Sequence, residues 1–164
     1  MVYQSGLLSL HEPNCFVETP HFHTSMSEML TVTLRNQFSE LEGLSQILTQ
    51  FGERHGMNRY AIFSINLALE EIVTNIISYG FDDQEEHAIT VRLAFKDQEF
   101  TAEVEDAGRP FNPLNAPEPD LEQPLEARPI GGLGVHLAKS MMDRIDYSCV
   151  QGKNVLRMTK RIEP

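Results

Sequence analysis

Cysteine is scarce in this 164-residue chain, and the two that occur, Cys15 and Cys149, form neither a metal-binding nor a redox spacing. A disulfide framework is not legible, and a reduced, cytosolic setting is the simplest fit. Positive charge is also short, with 13 Lys and Arg against 24 Asp and Glu and a formal net charge of −11. That balance argues against a nucleic-acid surface, which depends on clustered Lys and Arg to displace counterions from phosphates. The one basic cluster, Lys153, Arg157, Lys160 and Arg161, reads as the solubilising charge of an edge strand. Long apolar runs are missing too, and nothing approaches the ~18 to 20 apolar residues of a membrane span. The first twenty residues lack the positive n-region and sustained apolar run of a secretory signal. The expectation is a cytoplasmic protein with no membrane partner and no direct nucleic-acid partner.

What is present suits one domain, long enough to bury roughly two-thirds of the surface its unfolded chain exposes. Residues 1–27 read as an N-terminal extension and 28–164 as the folded domain. Within the extension, His21-x-His23 near Cys15 lacks a third and fourth ligand at usable spacing, so no metal site is expected there. Met29 to Arg35 alternates, with Leu30, Val32 and Leu34 on one face, as a half-buried strand does. Phe38, Leu41, Leu44, Leu48 and Phe51 then keep helical spacing, with Gly52 or Gly56 available as the stop. Asn58 is a candidate cap for a second helix that runs through Leu67 to Tyr79 and stops at Gly80.

That second helix is the centre of interest. Ile65, Leu69, Ile72 and Ile76 form its apolar stripe, while Glu71 and Asn75, four residues apart, project from one side at the margin of that stripe. A carboxylate and a carboxamide beside a core need partners. Downstream, Ala88 to Lys96 and Gln98 to Glu105 read as an antiparallel hairpin turning near Asp97. Parity along the second strand puts Asp106 on the core-facing side with Val104, where its carboxylate needs hydrogen-bond donors from the protein or from a ligand. The segment of about twenty residues from Arg109 to Pro129 holds six of the nine prolines, and a loop of that length inside a compact domain is usually functional or disordered. It is a candidate lid. Ile130-Gly131-Gly132-Leu133-Gly134-Val135 follows, opening a helix with Val135, Ala138, Met141, Met142 and Ile145 at helical spacing. Glycines at a helix start leave N–H groups free for an anion and let it approach closely. Tyr147 to Val150 and Val155 to Arg161 read as a closing hairpin around Gln151-Gly152, with Leu156 and Met158 inward.

The phrases Glu71-Ile-Val-Thr-Asn75, Asp106-x-Gly108-x-Pro110-Phe111 and Gly131-Gly-Leu-Gly134, in this order, resemble the N, G1 and G2 boxes of the GHKL ATPase superfamily. The closest resemblance is to the anti-sigma factor serine/threonine kinases, over roughly Met29 to Arg161. It implies the Bergerat ATP-binding fold: an α+β, two-layer sandwich with a mixed, mainly antiparallel sheet covered on one face by helices, and an ATP lid at about 109–130. It further implies ATP and Mg²⁺ as cofactors, with Asn75 the Mg²⁺ ligand. Asp106 would accept from the adenine amino group, and Gly108 and Phe111 would shape the base site. Gly131, Gly132, Leu133, Gly134 and Val135 would serve the phosphates, and Glu71 would be the general base. The implied activity is phosphorylation of a small antagonist protein in a partner-switching circuit. The implied partners are a sigma factor or similar regulator and an anti-sigma-factor antagonist, and such kinases often pair as homodimers.

Two features depart from the family pattern. Tyr79-Gly80-Phe81 stands where many relatives carry His-Gly-Tyr or His-Ala-Tyr, and the first helix begins Phe38-Ser39-Glu40 without the early arginine of some partner-binding kinases. The sequence therefore leaves two other functions open: a nucleotide-gated, non-catalytic binding module, and a stand-alone histidine-kinase-type ATPase domain.

Overall fold

The computed structural model describes residues 28–115 and 133–163. The 1–27 extension with Cys15, most of the 109–130 loop, and Gly131 and Gly132 lie outside the described residues. The elements in chain order are β1 (Glu28–Arg35), α1 (Glu40–Arg54), α2 (Arg59–Tyr79), β2 (Ala88–Lys96), β3 (Glu99–Asp106), α3 (Leu133–Met141), β4 (Arg144–Val150) and β5 (Lys153–Arg161). The strands make one five-stranded sheet in the order β1-β2-β3-β5-β4. Every pairing in it is antiparallel.

Alternation along β2, β3 and β5 sorts the sheet into a dry and a wet face. Ile89, Val91 and Leu93, Phe100, Ala102 and Val104, and Leu156 and Met158 are buried on the dry face beneath the helices. Asp106 and Asn154 continue the same inward parity at one end, and they are register partners across β3 and β5. The hairpin between β2 and β3 turns on Asp97 and Gln98, both at positive φ, as a two-residue turn matched to strand twist requires. Gln151 and Gly152 do the same between β4 and β5.

The basic cluster is not on an edge. β5 lies between β3 and β4, and its cations answer carboxylates on the wet face. Arg157 pairs with Glu103 at 2.7 Å and Lys153 with Glu105 at 2.6 Å, and Arg92 on β2 reaches both glutamates. The hydrogen bond from Lys153, then that from Arg92, hold the Glu105 carboxyl below the usual carboxylate range. Lys160 instead donates to the Met141 carbonyl at the end of α3.

α1 buries Leu44, Leu48 and Phe51, whereas Phe38 lies ahead of the helix and is exposed. Gly52 does not stop the helix. It is buried within α1, where a Cβ would sit 2.7 Å from Ile62 Cγ1, so it admits α2 at close range. The stop comes at His55 and Gly56, the latter at φ +68°. Asn58 caps α2 as expected, its Oδ1 accepting from Ala61 N at 2.8 Å. By length and composition α2 could cross a membrane, with a mean hydropathy of 1.4, contrary to the expectation that no segment approaches a span. Its apolarity has a use here: Ala61, Ile65, Ala68, Leu69, Ile72 and Val73 are buried in the core. α3 ends at Met141, so Ile145 belongs to β4, opposite Met158, and not to the helix.

Candidate functional site

The inward ends of β3 and β5 meet the C-terminal half of α2 around a cavity of about 500 Å³, a volume suited to a small-molecule ligand. Ile72, Ile76, Val135 and Leu156 give it apolar walls, and Asn75, Asp106 and Asn154 supply convergent polar groups. Asp106 is only 5% exposed. Its Oδ1 accepts from Gly108 N at 2.8 Å and from Asn154 Nδ2 at 2.9 Å. Every hydrogen bond to this carboxylate among the described residues falls on Oδ1, which leaves Oδ2 as an acceptor for a ligand. The buried aspartate read from strand parity therefore finds donors for one of its two oxygens among the described residues.

The chain leaving β3 is strapped to the end of α2. Arg109 N donates to Gly80 O at 2.7 Å, its Nη2 donates to Tyr79 O at 2.6 Å, and its Nη1 pairs with Asp82 at 3.0 Å. A guanidinium on the last carbonyls of a helix satisfies groups with no intrahelical partner and complements the dipole. Gly108 lies so close beneath this helix end that a Cβ would collide with the Gly80 carbonyl oxygen. Because that obstacle is backbone, Gly108→Ala is expected to cost about 1–3 kcal/mol, the usual penalty for overpacking. Thermal unfolding of the purified variant would register it, and an unchanged midpoint would contradict the close approach.

Glu71 is half-buried one turn before Asn75, while its neighbour Glu70 is exposed. The start of α3 sits against it: a Cβ on Gly134 would overlap the Glu71 carboxylate at Oε2. The first turn of α3 and the carboxylate of α2 thus share one spot, and a side chain at Gly134 would have to displace the Glu71 carboxylate. Asn75, Asp106, Phe111 and Val135 line the cavity, Gly108 and Gly134 abut its neighbours, and Leu133 begins α3. His136, in the first turn of α3, is half-buried, and Lys139 donates to Leu114 O.

Asn154 escaped the sequence analysis. It is 7% exposed, and its Nδ2 also donates to Arg109 O at 3.0 Å and Gly108 O at 3.4 Å. Its Oδ1 accepts from Tyr147 OH at 2.7 Å and Phe111 N at 3.4 Å. Burial foremost, with smaller electrostatic contributions from Cys149 and Asp106, pushes the Tyr147 phenol up, which favours its protonated, donating form. The signal was there in the alternation: with Leu156 and Met158 inward, Asn154 is inward as well.

The family model for a histidine kinase-like ATPase domain matches residues 34–160. The chain belongs to this family. Among curated relatives of this histidine kinase-like ATPase domain, serine-protein kinase RsbW of Listeria monocytogenes is 28% identical over 144 residues, covering 84% of this chain and 90% of the relative. Anti-sigma F factor of Clostridium botulinum is 28% identical over 108 residues, covering 61% and 71% respectively. A crystal structure of the RsbU and RsbW domains of a Mycobacterium tuberculosis protein superposes with a TM-score of 0.61 at 19% identity, over 84% of this chain. The present chain spans 33% of that longer chain, and the likeness establishes the shared α+β fold. The histidine kinase-like domain so identified uses ATP, and the antiparallel sheet with helices on one face is the architecture expected of it.

Proposed function

We propose that this protein is an anti-sigma-type serine/threonine kinase that transfers the γ-phosphoryl group of Mg-ATP to a small antagonist protein. The observation that carries the proposal is the buried Asp106 with Oδ2 left as an acceptor in a cavity shared with Asn75. That oxygen suits the amino group of adenine. Gly108 and the exposed Phe111 border the base, and the N–H groups of Leu133 and Gly134, which follow Gly131 and Gly132 in sequence, suit phosphates at a helix start. Val135 supplies apolar contact one residue into that helix.

Mg²⁺ fits the donor set. Among the described residues no cluster of three or more His, Cys, Asp or Glu could hold a metal alone. This suits an ion that keeps its waters and is held mostly by substrate phosphates, with Asn75 contributing a carboxamide oxygen. When bound, the ion would neutralise phosphate charge. Glu71 would take the proton of the acceptor hydroxyl as its oxygen forms the new bond to phosphorus and ADP leaves. Positioning and electrostatics account for most of phosphoryl-transfer catalysis, so a site this small is sufficient.

The names borne by the relatives support the partner assignment: one is a serine-protein kinase and another an anti-sigma factor. On this basis the protein acts in the cytoplasm on transcription, holding a sigma factor or similar regulator, with pairing as a homodimer and no membrane or direct nucleic-acid contact. The folded unit would be 28–164, with 1–27 as an extension and about 109–130 as an ATP lid. Incubating the full chain with labelled Mg-ATP and candidate antagonist proteins should give acid-stable phosphoserine or phosphothreonine on one of them. Tight ATP binding with no transfer to any would favour a nucleotide-gated binding module instead.

A further inference from the structure

We infer that Asn154, locked by Tyr147, is a positioning residue that sets the choice between 6-amino and 6-oxo purine nucleotides. The inference rests on the proposed placement of adenine against Asp106. Its basis is the orientation of one side-chain amide. On the Nδ2 side of Asn154 stand three acceptors, Asp106 Oδ1, Arg109 O and Gly108 O, and on the Oδ1 side stand two donors, Tyr147 OH and Phe111 N. A flipped amide would put its oxygen against all three acceptors and its NH₂ against the Phe111 N–H, while the Tyr147 hydroxyl could accept as well as donate. The orientation is over-determined.

Two consequences follow from that lock. Asp106 Oδ1 is saturated by Gly108 N and Asn154 Nδ2, so the carboxylate cannot turn about its terminal torsion without losing two hydrogen bonds. Oδ2 is the carboxylate oxygen left without a partner among the described residues, and an acceptor at the cavity wall selects a donor. The 6-amino group of adenine donates, whereas the 6-oxo group of hypoxanthine only accepts. Asn154 also ties the carbonyls of Gly108 and Arg109 and the N–H of Phe111 to β5, so the selecting oxygen and the loop bordering the base keep a common reference. Tyr147, from the neighbouring strand β4 and itself lining the cavity, holds the amide through its hydroxyl.

Asn154→Asp keeps the shape but removes the donor, and Tyr147→Phe keeps the ring but removes the pin. Calorimetry with ATP and with inosine triphosphate, which differ only in the 6-substituent and the attendant N1 proton, measures the selection. Wild type should prefer ATP by about a hundredfold, the scale set by leaving one buried hydrogen-bonding group unsatisfied. Asn154→Asp should weaken ATP by about tenfold to a hundredfold and bring the preference below about tenfold, with a smaller change in the same sense for Tyr147→Phe. In transfer assays the change should fall on KM for ATP and spare kcat at saturating nucleotide. Equal weakening of both nucleotides would mean general damage to the fold, and unchanged selection in both variants would show that Asp106 needs no positioning; either result overturns the inference. A wild-type protein that binds no adenine nucleotide would instead overturn the proposed function beneath it.

Discussion

Glu71→Gln is expected to lower phosphoryl transfer by about 10²- to 10⁴-fold, the usual contribution of a positioned general base, while ATP binding stays close to wild type. The substitution preserves length and shape, so the first turn of α3, seated against this side chain at Gly134, should keep its place. Glutamine lacks the basic oxygen that takes the hydroxyl proton, and chemistry alone should suffer. Single-turnover transfer at saturating Mg-ATP, with affinity measured separately by calorimetry, divides the two effects. Full transfer activity in this variant would remove Glu71 from the role of base and leave it a packing partner of Gly134.

Asp106→Asn should have the larger effect on binding. In the variant the side-chain oxygen remains opposite Gly108 N and Asn154 Nδ2, both of which donate. The new NH₂ must therefore point where Oδ2 was, and a donor would face the amino group of adenine. Two opposed donors in a buried site lose one hydrogen bond and strand another, so ATP affinity should fall by about a hundredfold or more. The same NH₂ suits a 6-oxo group. Inosine triphosphate should then bind the variant better than ATP, a reversal that general destabilisation would not produce. Retained preference for ATP would place the base elsewhere in the cavity.

Much of this was legible because it depends on short-range rules. Alternation placed β1, the β2–β3 hairpin and the β4–β5 hairpin, and the same parity turned Asp106 inward. Helical spacing put Glu71 and Asn75 on one side of α2, and Asn58 announced its start through a side chain favoured at helix caps. Errors arose where distance in sequence hides proximity. The order of β5 within the sheet depends on pairing with β3, about fifty residues earlier in the chain, so its cations were misread as an edge device. Gly52 looked like a helix stop because glycine usually is one; its reason for being there is Ile62 on the next helix. Ile145 keeps helical spacing with Met141 and Met142, but two residues of chain between α3 and β4 turn it into a strand partner of Met158. Asn154 was missed because an asparagine near a turn is ordinarily a turn residue, and five partners gathered from β3, β4 and the loop between β3 and α3 cannot be read locally.

The two residues assigned to chemistry, Glu71 and Asn75, ride on a helix whose Leu69, Ile72 and Val73 are buried in the centre of the core. Their separation along the axis is the rise of four residues, about 6 Å, and it is guarded by the same packing that keeps the domain folded. Such a site has little freedom to soften ahead of its scaffold. On heating, the loss of nucleotide binding and the loss of tertiary structure should coincide as one cooperative event, with no window in which the protein is folded yet catalytically slack.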